Sequence, residues 1–212
     1  MINGKWGFIL AFLIYLTLSH NCIAQKIGEC AVTPEIWSIG VLPEAENSNN
    51  LTTSYTSFET AKGKKIIITG KILDGNCVPI SGAKVSIWQA NTRGVFQFNA
   101  KNKQYFDKYF RSSGNMITDN VGNFQFITVY PGKINNFTPS IIFKVEHSSF
   151  MPMETKMFFP EYKNYHTIRS MNASIIKEQI PLLVAKKVSK DDSMSIYSFV
   201  ITLKQTSSYR EY

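Results

Sequence analysis

The sequence predicts a single all-β domain, an antiparallel β-sandwich that follows an extended N-terminal arm. Short runs of β-branched and aromatic residues, bounded by Gly, Pro, Asn and Asp, recur at intervals of about 10 to 15 residues without helix–strand alternation. Aromatic residues make up 13% of the chain, a share typical of β-rich proteins. With 212 residues and 44% hydrophobic content, the chain is long enough to bury one core of its own.

Six segments carry the strand pattern and are separated by turn residues. In chain order they are 66–73, 83–88, 123–129, 140–146, 155–159 and 195–204. Alternation predicts that five apolar side chains of the second and fourth segments point inward, namely Val85, Ile87, Ile141, Phe143 and Val145. Helical patterns are sparse, and we expect one short helix over 174–185, interrupted at Pro181.

Residues 1–24 have the composition of a secretory signal peptide. Lys5 precedes an apolar run, and the small residues Cys22 and Ala24 predict cleavage between Ala24 and Gln25. The run is about 13 residues long, shorter than the roughly 20 that span a membrane, although a retained anchor is the alternative. We therefore expect an exported protein of a bacterium, periplasmic or secreted, with no stable membrane span after cleavage.

The mature chain then divides into an arm over 25–64, the sandwich over 65–204 and a short tail over 205–212. The arm is rich in Asn, Ser, Thr and Glu and shows no sustained period, as expected of an extended segment lying on the domain. Export leads into an oxidising compartment, where Cys30 and Cys77 can form a disulfide. Two separate buried thiols are the alternative.

The basic character of the chain does not indicate a nucleic-acid partner. The net charge of +8 comes from 23 Lys and Arg against 15 Asp and Glu, and most of the basic residues are scattered lysines. Nucleic-acid readers usually cluster their basic residues and use Arg for bidentate contacts. The pattern favours a solvated surface.

The segments Gly70 to Trp88 and Thr118 to Gly132 resemble the transthyretin-like and carboxypeptidase-regulatory-like sandwiches, and a second, narrower resemblance adds to this broad one. The tetrapeptide Trp88-Gln89-Ala90-Asn91, followed by Arg93-Gly94, resembles the intradiol ring-cleavage dioxygenases, the catechol and protocatechuate group. The resemblance continues through Phe110-Arg111, Thr118-Asp119, the segment 129–132 and Met157 to Pro160. It covers roughly Lys65 to Lys204, which is most of the mature chain.

This resemblance implies a ferric ion, Fe(III), held by two tyrosines and two histidines, which activates an aromatic diol for attack by dioxygen. The two tyrosine positions are Phe96 and Ile134 in this sequence, and the two histidine positions are Ile141 and Phe143. The arginine that helps to place the substrate is replaced by Thr138. Phe and Ile have no lone pair to offer a metal, so we predict that the iron site is lost and expect no catalytic, cofactor-binding or metal-binding residue at these positions.

A relocated metal site is an alternative that the remaining histidines and tyrosines leave open. Its candidate ligands are His147, His166, Tyr105, Tyr130, Tyr162 and Tyr165. The simpler interpretation places His147 at a strand end and His166 in an exposed loop.

Two functions therefore follow from the sequence. The resemblance implies an intradiol dioxygenase, an oxidoreductase that uses Fe(III). The residues favour a non-catalytic exported domain that binds a small aromatic molecule, a glycan or a protein partner. An aromatic cleft near Trp88, Phe96, Phe98 and Phe143 is the predicted site for the small molecule.

Overall fold

The computed structural model describes residues 29–38, 40–53, 58–98, 100–162, 166, 168, 174–189 and 194–204. The predicted signal segment, its cleavage site between Ala24 and Gln25, the tail 205–212 and Tyr165 lie outside these residues. No helix within the described part is long and apolar enough to cross a membrane.

The described residues form a β-sandwich, as predicted, with two sheets of four strands each. The strands are β1 (Lys65–Leu73), β2 (Lys84–Gln89), β3 (Ser113–Ile117), β4 (Asn123–Val129), β5 (Ser140–His147), β6 (Phe150–Phe158), β7 (Lys186–Lys187) and β8 (Ser195–Thr202). The first sheet has the order β4-β1-β8-β7 and the second has the order β3-β2-β5-β6. Two short 3₁₀ helices cover Ala100–Tyr105 and Lys177–Leu183.

All six predicted strands are present, but the bounds of one strand and of the helix differ from the prediction by more than two residues, and β3 and β7 were not predicted. Strand β6 begins at Phe150, five residues before the predicted start, and includes Pro152. The helix predicted over 174–185 is the shorter 3₁₀ helix Lys177–Leu183, which contains Pro181. Strand β3 reads SGNMI, and its Gly and Asn are poor strand formers, so only its pairing with β2 reveals it.

One strand pair departs from the antiparallel arrangement. Strand β8 lies parallel to β1, with Gly70 opposite Phe199, while β1 also pairs with β4 in the antiparallel direction. A Cβ atom on Gly70 would lie 1.8 Å from the carbonyl oxygen of Phe199 and 2.5 Å from the ring of Phe124. Glycine at this position therefore allows the last strand to lie against the first.

The core lies between the two sheets and is built by alternate residues of their strands. The inward orientation predicted for Val85, Ile87, Ile141, Phe143 and Val145 is confirmed, since each is at most 1% exposed and belongs to the central apolar cluster. Side chains of this size contribute about 1.5 to 3 kcal/mol each when fully buried. The strand pattern and the core therefore agree.

The first part of the arm crosses the outer face of the second sheet. The Ile36 amide donates to the carbonyl oxygen of Glu154 on β6 at 2.8 Å. The Trp88 indole on β2 donates to the carbonyl oxygen of Pro43 at 3.0 Å. Beyond this point, the Asn115 amide of β3 donates to the backbone oxygen of Glu46 at 2.9 Å. Successive arm residues thus reach β6, β2 and β3 and cover a sheet face that would otherwise meet water.

A disulfide joins the start of the described arm to the turn between β1 and β2. The Sγ atoms of Cys30 and Cys77 are bonded at 2.05 Å, and the two residues are 47 positions apart in the sequence. Beside them, the Cys30 amide donates to the carbonyl oxygen of Gly75 at 2.9 Å. The bond closes a loop that contains most of the arm and all of β1.

Reduction of this disulfide is expected to destabilise the protein. Closing a loop of this length restricts the unfolded chain, and the loss corresponds to about 2 to 4 kcal/mol of unfolding free energy. Urea titrations with and without reductant measure the difference, with Cys30→Ser/Cys77→Ser as a control that reductant should not affect. Equal midpoints for the wild type under both conditions would contradict the prediction.

Candidate functional site

The loop after β2 is shaped by the side chain of Asn91, the last residue of the Trp-Gln-Ala-Asn tetrapeptide. Its Oδ1 accepts hydrogen bonds from the amides of Arg93 at 2.9 Å and Val95 at 3.2 Å. Its Nδ2 donates to the carbonyl oxygen of Tyr105 at 2.9 Å. Asn91 is only 2% exposed, so these bonds replace water and fix the loop that presents Phe96.

Gln89 of the same tetrapeptide connects the two sheets. Its fully buried Nε2 donates to the carbonyl oxygen of Val129 at 2.9 Å, and its Oε1 accepts a hydrogen bond from the Thr128 hydroxyl at 3.0 Å. Thr128 and Val129 end β4, directly before the Pro131-Gly132 turn. The tetrapeptide therefore acts as a scaffold that fixes one loop against another.

The second loop, 131–135, packs directly on the first. Gly94 has φ +74°, and a Cβ atom there would lie 1.8 Å from the carbonyl oxygen of Lys133. The Gly132 amide donates to the carbonyl oxygen of Asn91 at 2.9 Å. Glycine at position 94 permits both the backbone conformation and the close approach, and the two loops then form one wall.

A pocket of about 540 Å³, open to solvent, lies between these loops. Phe96 and Ile134, the two tyrosine positions of the resemblance, both line it, together with Arg93, Tyr105 and Lys133. Arg93 and Lys133 are exposed and bring two positive charges to the pocket. The two loops thus bring together hydrocarbon side chains where the resemblance expects phenolates.

The two histidine positions lie elsewhere. Ile141 and Phe143 are 0% exposed and belong to the core between the sheets, and neither lines the pocket. Thr138, the arginine position, is also buried, at 7% exposure. The four ligand positions are therefore divided between a pocket open to solvent and a sealed core.

The aromatic cleft predicted from Trp88, Phe96, Phe98 and Phe143 is wrong as a set. Trp88 packs with Ile142 under the arm on the outer face of the second sheet, and Phe96 contacts that cluster. The rings of Phe96 and Phe98 lie 5.0 Å apart. Phe143 follows Ile142 in β5, so strand alternation places it on the opposite face.

The side chains at the ligand positions do not fit an iron ion. Fe(III) requires oxygen or nitrogen donors, and Phe and Ile provide neither. The described residues also contain no group of three or more His, Cys, Asp or Glu side chains that could hold a metal ion. No step of a mechanism through iron can be derived from these positions.

The described candidates for a relocated site are dispersed. His147 ends β5, where its Nδ1 accepts a hydrogen bond from the Ser149 amide at 3.2 Å and its ring contacts Phe150. His166 is exposed. Tyr105 lies at the pocket and is 47% exposed.

Tyr130, one of these candidates, instead meets Tyr197 at the carboxylate of Glu161. The hydroxyl of Tyr197 donates to Glu161 Oε1 at 2.7 Å, and that of Tyr130 donates to Oε2 at 3.4 Å. Burial, followed by the negative charge of Glu161, raises the pKa of Tyr130 far above its usual value. The phenol therefore stays protonated and serves as a donor that links the ends of β4, β6 and β8. Tyr162, near this group, has its ring 5.3 Å from Lys133 Nζ.

Comparisons with known proteins agree with this fold and with the tetrapeptide. The family model named Dioxygenase matches residues 40–140. A protein of Rickettsia typhi named "Putative dioxygenase" is 31% identical over 162 residues, which cover 71% of this chain and 78% of that protein.

Solved structures show the same architecture. Catechol 1,2-dioxygenase of Acinetobacter radioresistens aligns with a TM-score of 0.63 at 18% identity, covering 96% of this chain and 73% of the other. An intradiol ring-cleavage dioxygenase of Tetranychus urticae aligns with a TM-score of 0.60 at 18% identity, covering 84% of this chain and 98% of the other. The expected sandwich of the intradiol type is thus confirmed. The relative of Rickettsia typhi and the matching family model show that the chain belongs to the dioxygenase family.

Proposed function

We propose that this chain is a non-catalytic member of the dioxygenase family that binds a small aromatic molecule in the pocket between the loops 91–96 and 131–135. One observation carries the proposal. The four ligand positions hold only hydrocarbon side chains, of which Phe96 and Ile134 line the open pocket while Ile141 and Phe143 are sealed in the core.

The pocket has the features that an aromatic ring needs. Its volume of about 540 Å³ falls within the range of roughly 300 to 1,000 Å³ of small-molecule sites. Phe96 and Ile134 provide an apolar wall, and Asn102 and Asn135 provide amide groups for the hydroxyls of a phenol. Arg93 brings a cation that is attracted to the face of a ring.

Dioxygenase activity is the second candidate, favoured by family membership. It would require a ligand set other than the four expected positions, since none of these has a donor atom. Tyrosinate bound to Fe(III) absorbs visible light, so such a set has a spectroscopic signature besides activity.

The mature chain, residues 25–212, is expected to bind catechol without oxidising it. Calorimetry measures the binding, an oxygen electrode measures oxygen uptake, and elemental analysis measures the iron content. We expect binding, colourless protein, no stoichiometric iron and no oxygen uptake above the rate without protein. Coloured protein with one iron per chain and catechol-dependent oxygen uptake would overturn the non-catalytic reading.

The contribution of the pocket is tested by Phe96→Ala. Removing a ring from the wall is expected to weaken catechol binding about tenfold, equivalent to about 1.4 kcal/mol. Phe58→Ala is the matched control, because Phe58 is fully exposed and does not line the pocket. Equal affinities for the two variants would place the ring outside this pocket.

Restoring the family's ligands one at a time is expected to change the unfolding free energy little at the two pocket positions and strongly at the two core positions. Phe96→Tyr and Ile134→Tyr place hydroxyls at partly exposed positions, and each should change the unfolding free energy by less than about 1 kcal/mol. Ile141→His and Phe143→His bury an imidazole among hydrocarbon, and each should cost about 2 to 5 kcal/mol.

Urea titration measures these four variants. Ile117→His serves as the control, because Ile117 lies on a strand but is 55% exposed. Histidine variants at 141 and 143 that match the stability of this control would show that the core accepts the family's ligands.

We also propose that the protein is exported. The composition of residues 1–24 supports this, as does the disulfide between Cys30 and Cys77, since such bonds persist in oxidising compartments. Expression of the whole sequence in a bacterial host, followed by intact-mass measurement, is expected to give a chain that begins at Gln25. Recovery of the uncleaved chain from the cytoplasm would contradict export.

A further inference from the structure

A second, smaller cavity adjoins the aromatic pocket. It has a volume of about 270 Å³, and its lining includes Lys62, Asp107 and Lys108. Arg93 and Tyr105 line both cavities and therefore stand between them. The larger cavity has an apolar end at Phe96 and Ile134, the smaller one has a polar end at Lys62 and Lys108, and the two adjoining cavities are called the groove below.

The polar end has a positive balance of charge. Lys62, Arg93 and Lys108 are exposed, and Lys108 Nζ lies 4.6 Å from the centre of the Tyr109 ring. The carboxylate of Asp107 lies among them, and the negative charge of Glu59 attracts the Lys108 ammonium from nearby.

The carboxylate of Asp107 is already used by the backbone. Its Oδ2 accepts a hydrogen bond from the Lys62 amide at 2.6 Å, and its Oδ1 accepts one from the Tyr109 amide at 3.1 Å. Asp107 therefore holds this end of the groove in shape, because both of its carboxylate oxygens accept hydrogen bonds from the backbone.

We propose that the groove binds an elongated aromatic acid, with the ring between Phe96 and Ile134 and an anionic group on a short arm at Lys62 and Lys108. This inference rests on the proposed function and adds the class of ligand to it. A single ring occupies only the larger cavity, whereas a carboxylate on an arm passes Arg93 and reaches the lysines. Charge-assisted hydrogen bonds to a carboxylate are about twice as strong as neutral ones.

Three probes test the groove: catechol, caffeate and methyl caffeate. Caffeate and its ester share the ring and the arm, and only caffeate has a negative charge. At low ionic strength, caffeate is expected to bind about tenfold more tightly than methyl caffeate, a difference of about 1.4 kcal/mol. The difference should shrink in 0.5 M salt, because exposed charges are screened.

Lysine variants locate the effect. Lys62→Gln/Lys108→Gln is expected to abolish the preference for caffeate over its ester and to leave catechol affinity unchanged. Lys186→Gln is the matched control for net charge, because Lys186 is exposed on β7 and lines neither cavity.

The outcomes distinguish a failure of this inference from a failure of the proposed function. Catechol binding with equal affinities for caffeate and methyl caffeate would overturn the aromatic-acid groove and leave the proposed function standing. A preference that survives in the double variant, or that Lys186→Gln reduces equally, would also overturn it. Failure of all three probes to bind would overturn both proposals.

Discussion

Hydrocarbon packing between the two sheets, centred on the ring of Phe143, is the constraint on which the rest of the molecule depends. The ring lies 5.8 Å from that of Phe124 on β4 and 5.3 Å from that of Phe199 on β8, measured between centroids. One side chain of the second sheet thus contacts two strands of the first. A metal ligand at position 143 would replace these contacts with a polar group, so the sandwich and the family's iron site make opposite demands on it.

The pocket depends on the same packing because both of its loops begin where core strands end. Gln89 ends β2 and bonds to Val129, which ends β4, so each loop leaves the sandwich at a fixed point. Gly94 and Lys133 then bring the two loops into contact. Specificity can therefore change through the loop side chains while the strand ends keep the wall in place, as expected for binding loops on a rigid scaffold.

The sequence predicted what local patterns determine and missed what distant pairings determine. Alternation identified β4 with its correct bounds and the inward face of β5. It could not give β3, whose Gly114 and Asn115 have low strand propensity, nor the parallel pairing of β1 with β8. The Tyr130–Glu161–Tyr197 group was missed for the same reason, because its members come from three separate segments. The predicted cleft was wrong because Trp88 and Phe143 face opposite sides of the second sheet. Trp88 packs on Ile142 of β5, and Phe143 is the next residue of that strand.

The central place of β8 in the first sheet has a consequence for synthesis in the cell. Strand β8 lies between β1 and β7, yet among the strands that the structure describes it is the last to be synthesised. Until then, β1 is paired only with β4 and presents a bare edge of backbone donors and acceptors, flanked by Ile66, Ile68 and Ile72. Such an edge is a template for aggregation. The first sheet therefore cannot close until β8 has been synthesised, and the edge of β1 stays open to other chains until then.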